Sequence, residues 1–116
     1  MGRLTTHVLD AVAGRPAEGV AVTLYHIAPE GARAVFSGAT DADGRIMPIL
    51  EGEAFVAGLY ELHFQCAAYF RGRGVPLADP PFLDTVPIRF GIADAGQHVH
   101  VPLLLSPHAY STYRGS

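Results

Sequence analysis

Short runs rich in β-branched and aromatic residues, each broken by Gly, Pro or Asp, recur along this chain, and no segment keeps a helical period for three turns. That pattern leaves little room for anything but an all-β fold. It predicts an antiparallel β-sandwich of about eight strands, near 3–10, 20–27, 32–38, 45–49, 59–66, 84–92, 97–105 and 109–115. The stretch AAYFRGRG at 67–74 predicts one short accessory helix closed by Gly72 or Gly74.

Successive side chains of a strand point to opposite faces, so alternation reads out which face is buried. In 59–66, Tyr60, Leu62, Phe64 and Cys66 form one face and Glu61, His63 and Gln65 the other. In 98–105, Val99, Val101, Leu103 and Leu105 oppose His98, His100, Pro102 and Leu104. In 4–9, Leu4, Thr6 and Val8 oppose Thr5, His7 and Leu9. The last two strands thus set histidine beside leucine on the face away from the core, a mixture that suits a covered cavity better than open water and predicts a second layer over it.

At 116 residues, with 49% hydrophobic and 16% charged side chains, the chain has enough apolar content for one core, predicting a single domain over 1–116. The net charge of −3 and eight scattered basic residues, all arginine, give no stripe that tracks phosphates, which argues against nucleic acid as a partner. Cys66 is the only cysteine, so no internal disulfide forms, and the opening MGRLTTHVLD lacks the apolar run of a signal peptide. No run reaches membrane-spanning length, so the expectation is a cytoplasmic protein without a membrane partner.

Three features can carry chemistry. His98 and His100 form an H-x-H pair on one strand face, spaced about 7 Å apart as two zinc ligands can be, with His7 a conceivable third. No Cys or carboxylate stands at a motif spacing beside them, and the expectation is no metal. TDADGR at 40–45 is a tight turn that sets the fork of Arg45 at the mouth of a hairpin. Ser106 lacks the flanking glycines of a nucleophile elbow, and Cys66 lies on an apolar face as packing.

THVLD near the start, DGR in the middle, HVHVPLLLSP and the closing YSTYRGS together resemble the transthyretin-related 5-hydroxyisourate hydrolases over almost the whole chain. The Tyr-Arg-Gly-Ser segment is the most specific part, because the thyroid-hormone carriers of the same fold lack it. The resemblance implies that His7, Arg45 and His100 are catalytic, and that His7, Arg45, Tyr113, Arg114, Gly115 and Ser116 bind substrate. It implies hydrolysis of 5-hydroxyisourate to 2-oxo-4-hydroxy-4-carboxy-5-ureidoimidazoline in urate breakdown, without a cofactor. It further implies a homotetramer, a dimer of dimers, with sites where dimers meet. Val99 stands where family members often carry an aromatic residue, and His108 and Ala109 stand where a small residue is usual.

An imidazole with a pKa of about 6.5 is neutral yet basic at pH 7 and suits activation of water. Arginine suits stabilising charge on an attacked carbonyl. Which histidine is the base stays open at this level, as do the roles of His98 and His108. Tyr113 is expected to share a face with Ser111 and Gly115 and to wall off a channel that a carrier leaves open. A small-ligand carrier on the same sandwich is the alternative function.

Overall fold

The computed structural model describes residues 2–116, and its strands form two stacked sheets. The first sheet contains β1 (Arg3–Asp10), β2 (Arg15–Pro16), β5 (Arg45–Glu51), β8 (Val99–Leu105) and β9 (Tyr110–Thr112). The second contains β3 (Ala21–Ala28), β4 (Gly31–Ala39), β6 (Gly58–Gln65) and β7 (Thr85–Ile92), in the order β4-β3-β6-β7. In the first sheet β1 is central, with β8 and then β9 on one side and β2 and β5 on the other.

The expected sandwich is present, with one departure in pairing. β1 and β8 run parallel, Leu4 to Asp10 lying against Val99 to Leu105, while every other ladder is antiparallel. Alternation specifies faces and is silent on direction, so a parallel pair reads the same as an antiparallel one. The faces fall as the pattern requires. Leu4, Val8, Val99, Val101, Leu103 and Leu105 are buried against Val22, Leu24, Leu62, Phe64, Val86 and Ile88 of the second sheet. Each such side chain contributes roughly 1.5–3 kcal/mol of burial.

Cys66 is a second departure: it is the first residue of α1 (Cys66–Gly72) rather than the last of a strand. It is fully buried, as its apolar setting predicts, and that burial pushes its thiol pKa up to about 11. The helix is moored through the buried Asp10 at the end of β1. Asp10 Oδ2 accepts from the Tyr69 hydroxyl at 2.8 Å, and its Oδ1 accepts from the backbone N–H groups of Val12 and Ala13. A buried carboxylate is tolerated because every lone pair direction that matters is met.

The last predicted strand, 109–115, is three residues long as a ladder, Tyr110–Thr112. Its register nevertheless runs on: Leu103 faces Thr112, and further along Gly115 bridges His100, donating to its carbonyl at 2.9 Å. The rung between belongs to Pro102, which has no N–H to give. The segment 113–115 is therefore an edge strand with one rung missing.

Candidate active site

The turn Asp41–Gly44 decides where Arg45 sits. Asp41 Oδ1 accepts from the backbone N–H groups of Asp43 and Arg45 at 2.9 and 3.0 Å, and Gly44 takes φ 74°, a left-handed value open to glycine. The Gly44 carbonyl accepts from Val8 N at 2.7 Å, and a Cβ on Gly44 would press into the Val8 carbonyl. This close approach docks the turn on β1 and puts Arg45 directly opposite His7. On the other side of β1, Thr5 lies opposite His100, and His100 lies opposite Gly115.

Neighbouring residues in register share a face, so Arg45, His7, Thr5, His100 and Gly115 gather on the outer face of the first sheet. Beside them is a depression of about 230 Å³ lined by Arg45, His100, Thr5 and Ser116, with Arg3, Met47 and His98 completing its rim. His7 is half-buried next to Arg45 and outside that lining. Thr5 Oγ1 is 2.7 Å from His100 Nδ1.

The electrostatics favour neutral imidazoles. Burial, then the Arg45 guanidinium, hold His7 below the ordinary histidine pKa against the pull of the Asp43 carbonyl. Burial, Arg45 and then His7 do the same to His100, opposed by the Thr5 carbonyl. Two rings are thus kept in the form that accepts a proton. The Arg45 side chain makes no hydrogen bond or ion pair among the described residues, leaving its planar fork available to an oxygen of a ligand. Among the described residues no group of three or more His, Cys, Asp or Glu is placed to hold a metal ion.

Of the residues singled out in the sequence, His7, Arg45, His100, Gly115 and Ser116 come together. Tyr113 and Arg114 do not line this depression. They border a second one of about 220 Å³, walled by apolar Ile88, Phe90, Val99 and Val101. Tyr113 is 59% exposed, and Arg114 donates to the His98 carbonyl at 3.4 Å and to Gln97 Oε1 at 3.5 Å. His100 borders both: the first depression brings it together with Arg45, Thr5 and Ser116, while the second sets it with Arg89, Tyr113 and Arg114 against an apolar wall. Thr5, Arg3 and Met47 were missed by sequence reasoning. Thr5 was within reach, two residues before His7 on the same alternating face.

A family model described as the HIUase/Transthyretin family matches residues 4–115. The 5-hydroxyisourate hydrolase of Ralstonia nicotianae is 56% identical over all of both chains. The 5-hydroxyisourate hydrolase 2 of Rhizobium meliloti is 55% identical, covering 99% of this chain and 97% of that one. Among solved structures, an (S)-allantoin synthase superposes with a TM-score of 0.93 at 47% identity over 99% of this chain, which spans 44% of that longer one. The Klebsiella pneumoniae 5-hydroxyisourate hydrolase superposes at 0.83 and 34% identity over the full length of both. Sea bream transthyretin in complex with thyroxine superposes at 0.88 and 31% identity, over 97% of this chain and 94% of its own. With the fold, the outer-face site and the match over nearly every residue in agreement, the chain belongs to the HIUase/Transthyretin family.

Proposed function

We propose that this chain is an enzyme that hydrolyses 5-hydroxyisourate to 2-oxo-4-hydroxy-4-carboxy-5-ureidoimidazoline in urate breakdown. The observation that carries the reading is the juxtaposition of two neutral-leaning imidazoles, His7 and His100, with the unpaired guanidinium of Arg45 on one sheet face. Water gives its proton to an imidazole as its oxygen bonds to the ring carbonyl carbon. Arg45 stabilises the negative charge that develops on the carbonyl oxygen. The carbon–nitrogen bond then breaks, and the imidazolium returns the proton to the departing nitrogen. This sequence is complete without a cofactor. The names of relatives about 47–56% identical favour the enzyme over a small-ligand carrier.

Gly115 and Ser116 bind substrate at the edge of the depression, and Arg114 helps hold that segment through the His98 carbonyl. Residues 1–116 act as one domain. Four copies assemble as a dimer of dimers, an arrangement supported by the unpaired outer edges of β7 and β9 and by exposed Met47 and Leu104 around the site. The cytoplasm is the proposed compartment, consistent with a free, buried Cys66, and no described helix is long and apolar enough to cross a membrane. The test is the decay of freshly generated 5-hydroxyisourate with and without the protein, read by its ultraviolet absorbance. Acceleration in proportion to protein concentration is expected; decay at the spontaneous rate contradicts the proposal.

A further inference from the structure

We propose that Thr5 is a positioning residue for the hydrolysis proposed above: its side chain fixes the His100 ring with the proton on Nδ1, leaving the Nε2 lone pair to act as the base. The inference rests on that functional reading for its chemistry, and on geometry for the contact that holds the ring. Thr5 and His100 are partners across the parallel β1–β8 ladder, and the Thr5 hydroxyl oxygen is 2.7 Å from Nδ1. The opposite edge of the ring meets Gly115, where an added Cβ would lie 2.5 Å from His100 Cδ2 and 3.1 Å from Pro102 Cγ. The imidazole is bracketed between β1 and the 113–115 segment. A flip would exchange Nδ1 with Cδ2, break the bond to Thr5 and press a polar nitrogen against Gly115.

A hydroxyl can donate or accept, so the 2.7 Å contact alone leaves the tautomer undecided. In the proposed arrangement the hydroxyl is the acceptor, which puts the ring proton on Nδ1 and leaves the hydroxyl's own hydrogen free to turn to water. With Nδ1–H turned to Thr5, Nε2 carries the lone pair, and it has no protein partner among the described residues. The other charged or titratable groups facing the ring are His7 and Arg3 from β1, Arg45 from β5, His98 ahead of β8, and Arg89, Tyr113 and Arg114 around the second depression that His100 borders. No carboxylate side chain lines the first depression. The oxygen that orients the base is thus supplied by a hydroxyl in place of an acid.

When Nε2 takes the proton of the attacking water, the ring becomes a cation with both nitrogens protonated, and Nδ1–H stays bound to Thr5. The proton then leaves Nε2 for the departing nitrogen, and His100 returns to its starting tautomer. A threonine donating to Nδ1 would instead place a proton on Nε2 and leave the depression without a base from β8.

The experiment compares wild type, Thr5→Val and Thr5→Ser by nitrogen-15 NMR of the His100 ring, alongside steady-state kinetics. Valine keeps the β-branched shape and removes the oxygen, and serine restores it. The expected result is an Nδ1-protonated His100 in wild type and Thr5→Ser, with loss of that preference in Thr5→Val. The Thr5→Val kcat should fall about 10- to 100-fold at an unchanged KM. An Nε2-protonated ring in wild type, or a Thr5→Val variant with the wild-type tautomer and kcat, overturns the proposal. The tautomer is read without substrate, so a protein that fails to open 5-hydroxyisourate refutes the proposed reaction while the NMR result still judges the role of Thr5.

Discussion

Thr5 and Thr6 are neighbours on one strand and do opposite work. Thr6 points inward, is completely buried, and donates to the Val101 carbonyl at 2.7 Å, satisfying a polar group inside an apolar layer. Thr5 points outward, its hydroxyl 2.7 Å from Nδ1 of His100, the histidine proposed to act as the base. The contrast extends along both strands. Leu4, Val8, Val99, Val101 and Leu103 hold the two sheets together, while His7 and His100, interleaved with them, are half-buried on the other face. One face of the β1–β8 pair makes the fold and the other carries the proposed site. Because the period is two, a slip of one residue would exchange them, so the core itself fixes the geometry of the chemistry.

The strongest way to break this division is to change one face and watch the other. His100→Ala should lower kcat/KM by about 10²- to 10⁴-fold, as loss of a general base does, with the denaturant midpoint within error of wild type. Leu103→Ala should do the reverse, costing about 2–5 kcal/mol of stability by cavity formation while the molecules that remain folded retain their kcat. Equilibrium unfolding paired with assays below the transition checks both. If either variant fails in both respects, the two faces are not separable.

Gly115→Ala sharpens the comparison at the sheet edge. The added methyl meets the His100 ring at 2.5 Å, so the ring must turn from Thr5 or the edge segment must lift. We expect roughly a ten-fold loss of activity with little change in stability, since the missing rung at Pro102 already makes this edge the weakest part of its ladder.

The smallest effect is a shift in titration. The folded-state pKa values of His7 and His100 lie below the ordinary histidine value, so between about 6.5 and those lower values the unfolded chain binds more protons. Stability from these groups is therefore present above pH 6.5 and falls as the pH drops through the folded values. Activity should hold from pH 8 to about 6.5 and decline only below it. Arg45→Gln removes a cation that disfavours protonation, so both imidazoles should titrate at higher pH in that variant, measured by proton NMR. A downward shift would contradict the arrangement.

Much of this was legible in the sequence, for definable reasons. The inward set on 98–105 followed from alternation alone, and the Asp-Gly turn identified the hairpin mouth where Arg45 stands. The parallel direction of β1 and β8 was hidden, because residues 3–10 and 99–105 are far apart in the chain and face patterns carry no polarity. The truncation of β9 at Thr112 was hidden too, since its cause is Pro102 on the neighbouring strand. Tyr113 was expected to share the site's face with Gly115 and wall it off, and it borders the apolar depression instead. Thr5 was placed beside His7 by alternation, but its partnership with His100 needs the cross-strand register.

The central claim is that the outer face of β1 and β8 opens a ring by histidine-activated water while the inner face is indifferent to that chemistry. The most direct measurement is the rate of 5-hydroxyisourate disappearance for wild type and for the doubly substituted His7→Ala, His100→Ala protein, at concentrations where both are folded by circular dichroism. The account predicts strong acceleration by wild type and decay at the spontaneous rate with the double variant. Wild-type turnover by the folded double variant would place the chemistry elsewhere and contradict it.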